Sequence, residues 1–93
     1  MKVLHKNECQ ICGGTLDLLN GKTYSEGHHI RPLGIEHNGP DVPENILILC
    51  PNHHVLCDFG AIELDLSALR SVSGHRIRQE YIDYHNREIL RKT

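Results

Sequence analysis

Tryptophan is missing from this chain, phenylalanine occurs once and tyrosine three times among 93 residues. A large aromatic core is therefore excluded, and a domain of this size gains only ~3–5 kcal/mol from burial alone. No apolar run reaches membrane-spanning length, and Met1-Lys2-Val3-Leu4-His5-Lys6 lacks the apolar segment of a secretory signal. Positive charge is also in short supply, with 10 Lys plus Arg against 12 Asp plus Glu. Neutralising phosphates supplies most affinity for nucleic acid, so tight, autonomous DNA binding is not expected. The cationic residues gather late, at Arg70, Arg76, Arg78, Arg87, Arg91 and Lys92, as on a solvated helix face. What the chain does have is four cysteines and eight histidines. In an intracellular, cytoplasmic chain, which the missing signal suggests, such residues bind metal more often than they form disulfides.

The order of segments predicts one small α+β domain spanning residues 1–93, with no repeat or low-complexity stretch. Cys9-Gln10-Ile11-Cys12-Gly13-Gly14 reads as a knuckle whose glycines permit a tight turn. Thr15 to Leu19 leads into Asn20-Gly21, a strong hairpin signal, and a strand from Thr23 to Ile30 returns. Residues 34–44, rich in Gly, Pro, Asn and Asp, form a surface loop. Ile46-Leu47-Ile48-Leu49 is a buried strand, Pro51 opens a helix to about Asp58, and Gly60 ends it. The alternation in Ala61 to Leu66 predicts a further strand with one exposed face. A C-terminal helical extension, about residues 74–93, is expected to be helical from Arg78 to Arg91, with Ile77, Tyr81, Tyr84 and Ile89 on one face.

Two residues between ligands let both reach one tetrahedral ion, and this spacing occurs twice, in Cys9-x2-Cys12 and Cys50-x2-His53. A structural Zn2+ on these four would staple the N-terminal knuckle to the start of the central helix. Cys57 is the rival for the fourth position, although its gap from Cys50 is less regular.

A second constellation carries chemistry. Hydrolysis of a phosphodiester requires an activated water, stabilisation of the phosphorus oxygens and help for the leaving alkoxide. His54 and Asp58, four apart on one helix, share a face, and His28 on the preceding strand can join them around a divalent metal such as Mg2+, Mn2+, Ni2+ or Zn2+. Side chains alternate along a strand, so His29 faces the other way and is the candidate general base. Asn45 stands at the entry to the buried strand, where its amide can bridge backbone groups across the loop and hold His29. Glu26, Arg31 and His37 are expected to be ordinary surface residues, and His5, His75 and His85 show no usable spacing.

His28-His29, Asn45 and His54, together with Gly39-Pro40-Asp41-Val42-Pro43-Glu44-Asn45-Ile46-Leu47-Ile48-Leu49-Cys50-Pro51-Asn52-His53-His54, resemble the HNH (ββα-metal) endonuclease superfamily. The cysteine pairs resemble its zinc-stapled, restriction-type branch, and the resemblance covers roughly Cys9 to Ile62. It implies a ββα core that cleaves DNA, with His28 and His54 on the metal, His29 as base and Asn45 at the asparagine position. Asp58 matches a ligand found one helical turn later in colicin-type members. The resemblance and the charge balance together imply a domain that binds DNA weakly alone, helped by a homodimer or a separate DNA-recognition domain, with no membrane partner.

The alternative is a non-catalytic zinc module that binds nucleic acid or protein, against which the complete histidine–asparagine–histidine set counts. Zinc deamination needs His-x-Glu with Pro-Cys-x-x-Cys, and a zinc protease needs His-Glu-x-x-His. Neither is present.

Overall fold

Asn20-Gly21 does turn the chain: strand β1 (Leu16–Asp17) pairs antiparallel with β2 (Thr23–Tyr24) across a 3-10 turn at Leu19–Gly21. Asn20 takes the left-handed conformation that asparagine tolerates, with φ of 65°. These come from a computed structural model, which describes residues 1–90. The single returning strand expected from Thr23 to Ile30 is split at Ser25. Its buried hydroxyl donates to Asn7 Oδ1 at 2.6 Å, and the chain changes partner there. Strand β3 (Glu26–His29) leaves the first hairpin and pairs antiparallel with β4 (Ile46–Leu49), His28 opposite Leu47 and His29 opposite Ile46.

Helix α1 (Pro51–Asp58) starts as expected, with Pro51 in its first turn, and Gly60 follows its end at φ of 61°. Leu47, Ile48 and Leu49 of β4 are buried, and Leu47 and Leu49 share the core with Cys9, Ile30, Cys57, Leu64, Ile77 and Ile82. Gln10 seats the knuckle on β4 like an added strand. Its amide donates to Ile48 O and its Oε1 accepts from Ile48 N, both at 2.8 Å.

Two expectations need correction. Ala61 to Leu66 is not a strand, because the C-terminal helix supplies side chains where a strand partner would stand. Asn86 donates to Leu64 O (2.7 Å) and accepts from Leu64 N (2.9 Å), while His85 Nε2 donates to Ile62 O (2.8 Å). The alternation still holds in packing, with Leu64 buried and Ile62 and Leu66 against the core. Helix α2 runs only over Gln79–Tyr84 before widening into a π-turn at His85–Ile89. Ile77 and Tyr81 reach the core as expected, while Ile82 and His85, outside the expected face, are the most deeply buried residues of the helical segment. The predicted end at Arg91, like Lys92, lies outside the described residues. Among those described, no helix is long and apolar enough to cross a membrane.

Candidate metal centres and their surroundings

The knuckle and the N-terminus of α1 converge. Ligand atoms of Cys9, Cys12, Cys50 and His53 all lie within 4.8 Å of one another. A zinc tetrahedron with Zn–S of about 2.3 Å has edges of about 3.8 Å. The separations are similar: Cys12 Sγ to Cys50 Sγ 3.9 Å, Cys9 Sγ to His53 Nδ1 3.7 Å, Cys50 Sγ to His53 Nδ1 3.2 Å. The donor set fits zinc. Backbone amides favour the thiolates, since Gly14 N donates to Cys12 Sγ and His53 N to Cys50 Sγ. Burial alone would raise the Cys9 thiol, but hydrogen bonds from the backbone of Cys12, Cys50 and Ile11 outweigh it and bring it below its usual value. Cys57 stands apart from this group. Burial, then the charge of Asp58, pushes its thiol up to about 12, and it packs in the hydrophobic core.

The second centre gathers His28, His54 and Asp58, again within 4.8 Å. Asp58 Oδ1 is 3.3 Å from His28 Nδ1 and Oδ2 is 3.4 Å from His54 Nε2, while the two rings meet edge to face with centroids 5.2 Å apart. Strand alternation puts Glu26 on the His28 side of β3, and this residue is more than surface. Its Oε1 accepts the His54 Nδ1 proton at 2.8 Å, which leaves the His54 Nε2 lone pair directed at Asp58. A carboxylate behind a ligating imidazole is the usual support for a metal-binding histidine. The Glu26 carboxyl is held below its ordinary range chiefly by that bond.

His28 is buried, and burial, followed by the neighbouring His54, His85 and His29, lowers its pKa to about 3. It therefore presents a neutral lone pair throughout the neutral range, as a metal ligand must. Its Nε2 has no hydrogen-bond partner, which leaves Nδ1 as the atom turned towards Asp58 and His54. An open cleft of about 410 Å³ reaches the pair His28 and Asp58, with Ile30, Cys57, Glu36 and Glu88 also on its walls.

A depressed histidine stabilises the fold above its unfolded value of 6.5, and that contribution drains away as pH falls towards 3. In the zinc-loaded protein without added divalent metal, the stability advantage of the parent over His28→Asn is expected to shrink below pH 6.5. The slope should be about 1.4 kcal/mol per pH unit, read from urea midpoints. Parallel curves for the two proteins would show that His28 is not held neutral.

His29 is not drawn into the cluster. It lies on the other side of β3, where its Nε2 is 2.8 Å from Asp41 Oδ1. Asn45 is fully buried and bridges backbone as expected. Its Oδ1 accepts from Arg31 N at 2.8 Å, and its Nδ2 donates to Arg31 O and Pro40 O, each at 2.9 Å. Gly39 fits beneath this clasp because a Cβ there would collide with the Arg31 carbonyl.

Histidines with no usable spacing in the sequence have partners far along the chain. His75 Nε2 donates to Pro43 O at 2.8 Å, so its Nδ1 accepts from His5 Nε2 at 2.7 Å. His37 Nδ1 is 2.6 Å from the Tyr84 hydroxyl, and Arg31 stacks on the Tyr84 ring at 4.5 Å while its Nε donates to His37 O. Among the late arginines, Arg78 pairs with Glu80 and Arg87 with Glu88 at the surface, in keeping with a solvated face.

Residues 9–65, more than half of the chain, match a family model described as HNH endonuclease. Among solved structures, the chain is similar to a modification-dependent TagI restriction endonuclease, with 41% identity and a TM-score of 0.85 over 97% of its residues. It spans only 35% of that relative's length. No curated protein matches at a significant level.

Proposed function

The chain belongs to the HNH endonuclease family, and from that premise we propose that it hydrolyses DNA phosphodiester bonds with a metal on His28, His54 and Asp58 and with His29 as general base. The observation that carries this is the convergence of two imidazoles and a carboxylate within 4.8 Å, with His28 and Asp58 lining a cleft and Glu26 behind His54. A divalent cation held there supplies Lewis-acid stabilisation of the phosphate oxygens and of the departing alkoxide. The nitrogen and oxygen donors suit Mg2+, Mn2+, Ni2+ or Zn2+. His29 takes a proton from water, whose oxygen attacks phosphorus as the bond to the leaving oxygen breaks. Asn45 keeps the end of β3 and the following loop in register for that base. Cys9, Cys12, Cys50 and His53 hold a structural Zn2+, which the reducing cytoplasm favours by keeping the thiols free.

Residues 1–93 act as one nuclease domain, because α2 contributes Ile82 to the same core as β4 and α1. A formal charge of −2 gives weak hold on DNA. Recognition therefore falls to a second copy or to a separate domain, a division supported by the much longer chain of the restriction-enzyme relative. One such site cuts one strand, so double-strand breaks require two copies or two successive events.

Plasmid nicking tests the proposal. The purified protein should convert supercoiled to open-circular DNA with added Mg2+, Mn2+ or Ni2+, and stop with EDTA. No nicking with any metal, in a folded zinc-containing sample, would favour a binding module instead.

A further inference from the structure

The bond from His29 to Asp41 joins the proposed base to a residue of the loop between β3 and β4. We propose that Asp41 is the positioning residue of the general base: its carboxylate accepts the Nε2 proton of His29 and so leaves Nδ1 bare to receive the proton of the attacking water. The inference rests on His29 being the base and deepens that assignment to a tautomer and a partner.

The contact is 2.8 Å, within the range of a charge-assisted hydrogen bond. A neutral imidazole carries one proton, and a carboxylate facing Nε2 accepts it there, which determines which nitrogen remains basic. The backbone on both sides of the contact is fixed by a single side chain. Asn45, fully buried, binds Arg31 through its amide N and its carbonyl, two residues after His29. It also binds the carbonyl of Pro40, immediately before Asp41. Gly39 presses on the Arg31 carbonyl and donates to Pro32 O at 2.7 Å, so the loop lies tightly against the end of β3. The asparagine thus holds the base and its acceptor to one another, although it touches neither ring nor carboxylate.

Solvent separates this role from a structural one. Asp41 is 74% exposed and His29 28% exposed, and a pair so wetted contributes little to stability. Losing it should leave folding alone and affect only the direction in which His29 offers its lone pair. Partners of this kind behind an active imidazole typically change activity by about 10–100-fold.

The test compares Asp41→Ala, Asp41→Asn and His29→Ala in the full chain. Ring 15N shifts of His29, recorded without DNA or added metal and well above the imidazole range, read the tautomer directly. The parent should show the proton on Nε2, Asp41→Ala a mixture of tautomers, and Asp41→Asn, whose carbonyl still accepts, the parental state. In nicking assays Asp41→Ala should lower kcat by about 10–100-fold at unchanged melting temperature, with Asp41→Asn restoring most of it. A purely electrostatic role would instead lower KM in both variants, because removing a negative charge favours DNA. Unchanged His29 shifts and parental kcat in Asp41→Ala, with His29→Ala inactive, would overturn the role of Asp41 and leave the base assignment standing. Parental nicking by His29→Ala would overturn both.

Discussion

Exchange of His29 for alanine is expected to slow plasmid nicking by about 10²–10⁴-fold, the usual contribution of a positioned acid or base. The variant should keep its melting temperature, its zinc and its affinity for the added divalent metal. His29 lies outside the cluster of His28, His54 and Asp58, and its bond to the exposed Asp41 contributes little to folding. The contrast with His28→Ala sharpens the test. Loss of His28 would remove one of the three proposed metal donors, so its activity should recover in part as metal concentration is raised. Loss of the base should not recover with metal at all. A folded, metal-loaded His29→Ala protein that nicks as fast as the parent would rule out this residue as the base.

What could be read in the sequence follows from how regular structure repeats. A spacing of two between ligands, a spacing of four on a helix and alternation along a strand each place side chains without knowledge of the rest. Hence Cys9 with Cys12, Cys50 with His53, His54 with Asp58, and the opposed His28 and His29 were all legible. Glu26 was within reach of the same rule, since it lies two residues before His28 on one strand face, but its acidic character favoured a surface role. The misread segments are those whose backbone is satisfied by distant side chains. Asn86 stands in for a strand at Leu64, His85 does so at Ile62, and His5 meets His75 across 70 positions. No local period encodes such pairs. The Asp41 contact belongs to the same class, because a loop of irregular composition determines which of its residues returns to β3.

The proposed base partner and the proposed metal ligands lie on different segments, which gives weight to the proposed zinc site. His28 comes from β3, while His54 and Asp58 come from α1, whose N-terminus is capped by Cys50, the Sγ accepting the His53 amide. The knuckle is held to β4 by Gln10, and Cys9 is a fully buried member of the core. Any change that lets the start of α1 drift therefore separates His54 from His28.

Removal of zinc is accordingly expected to unfold the domain rather than merely loosen it. Structural zinc contributes about 10–16 kcal/mol of apparent binding energy at neutral pH, comparable to or above the entire ~5–15 kcal/mol stability of an ordinary domain. Few aromatics and a small core of leucine, isoleucine and cysteine leave little to replace it. A strong chelator should abolish the helical circular dichroism in one transition, and stoichiometric Zn2+ should restore it. Cys12→Ala and His53→Ala should each lose bound zinc and fold poorly. Cys57→Ala should retain one zinc per structural site, because that thiol is buried in the core, pushed up to about 12 and apart from the four clustered donors. Metal analysis of the three variants decides the fourth ligand: zinc kept by His53→Ala and lost by Cys57→Ala would reverse the assignment. Zinc-free protein with native dichroism would show that burial alone is enough to hold α1 against β3, and that the staple is dispensable.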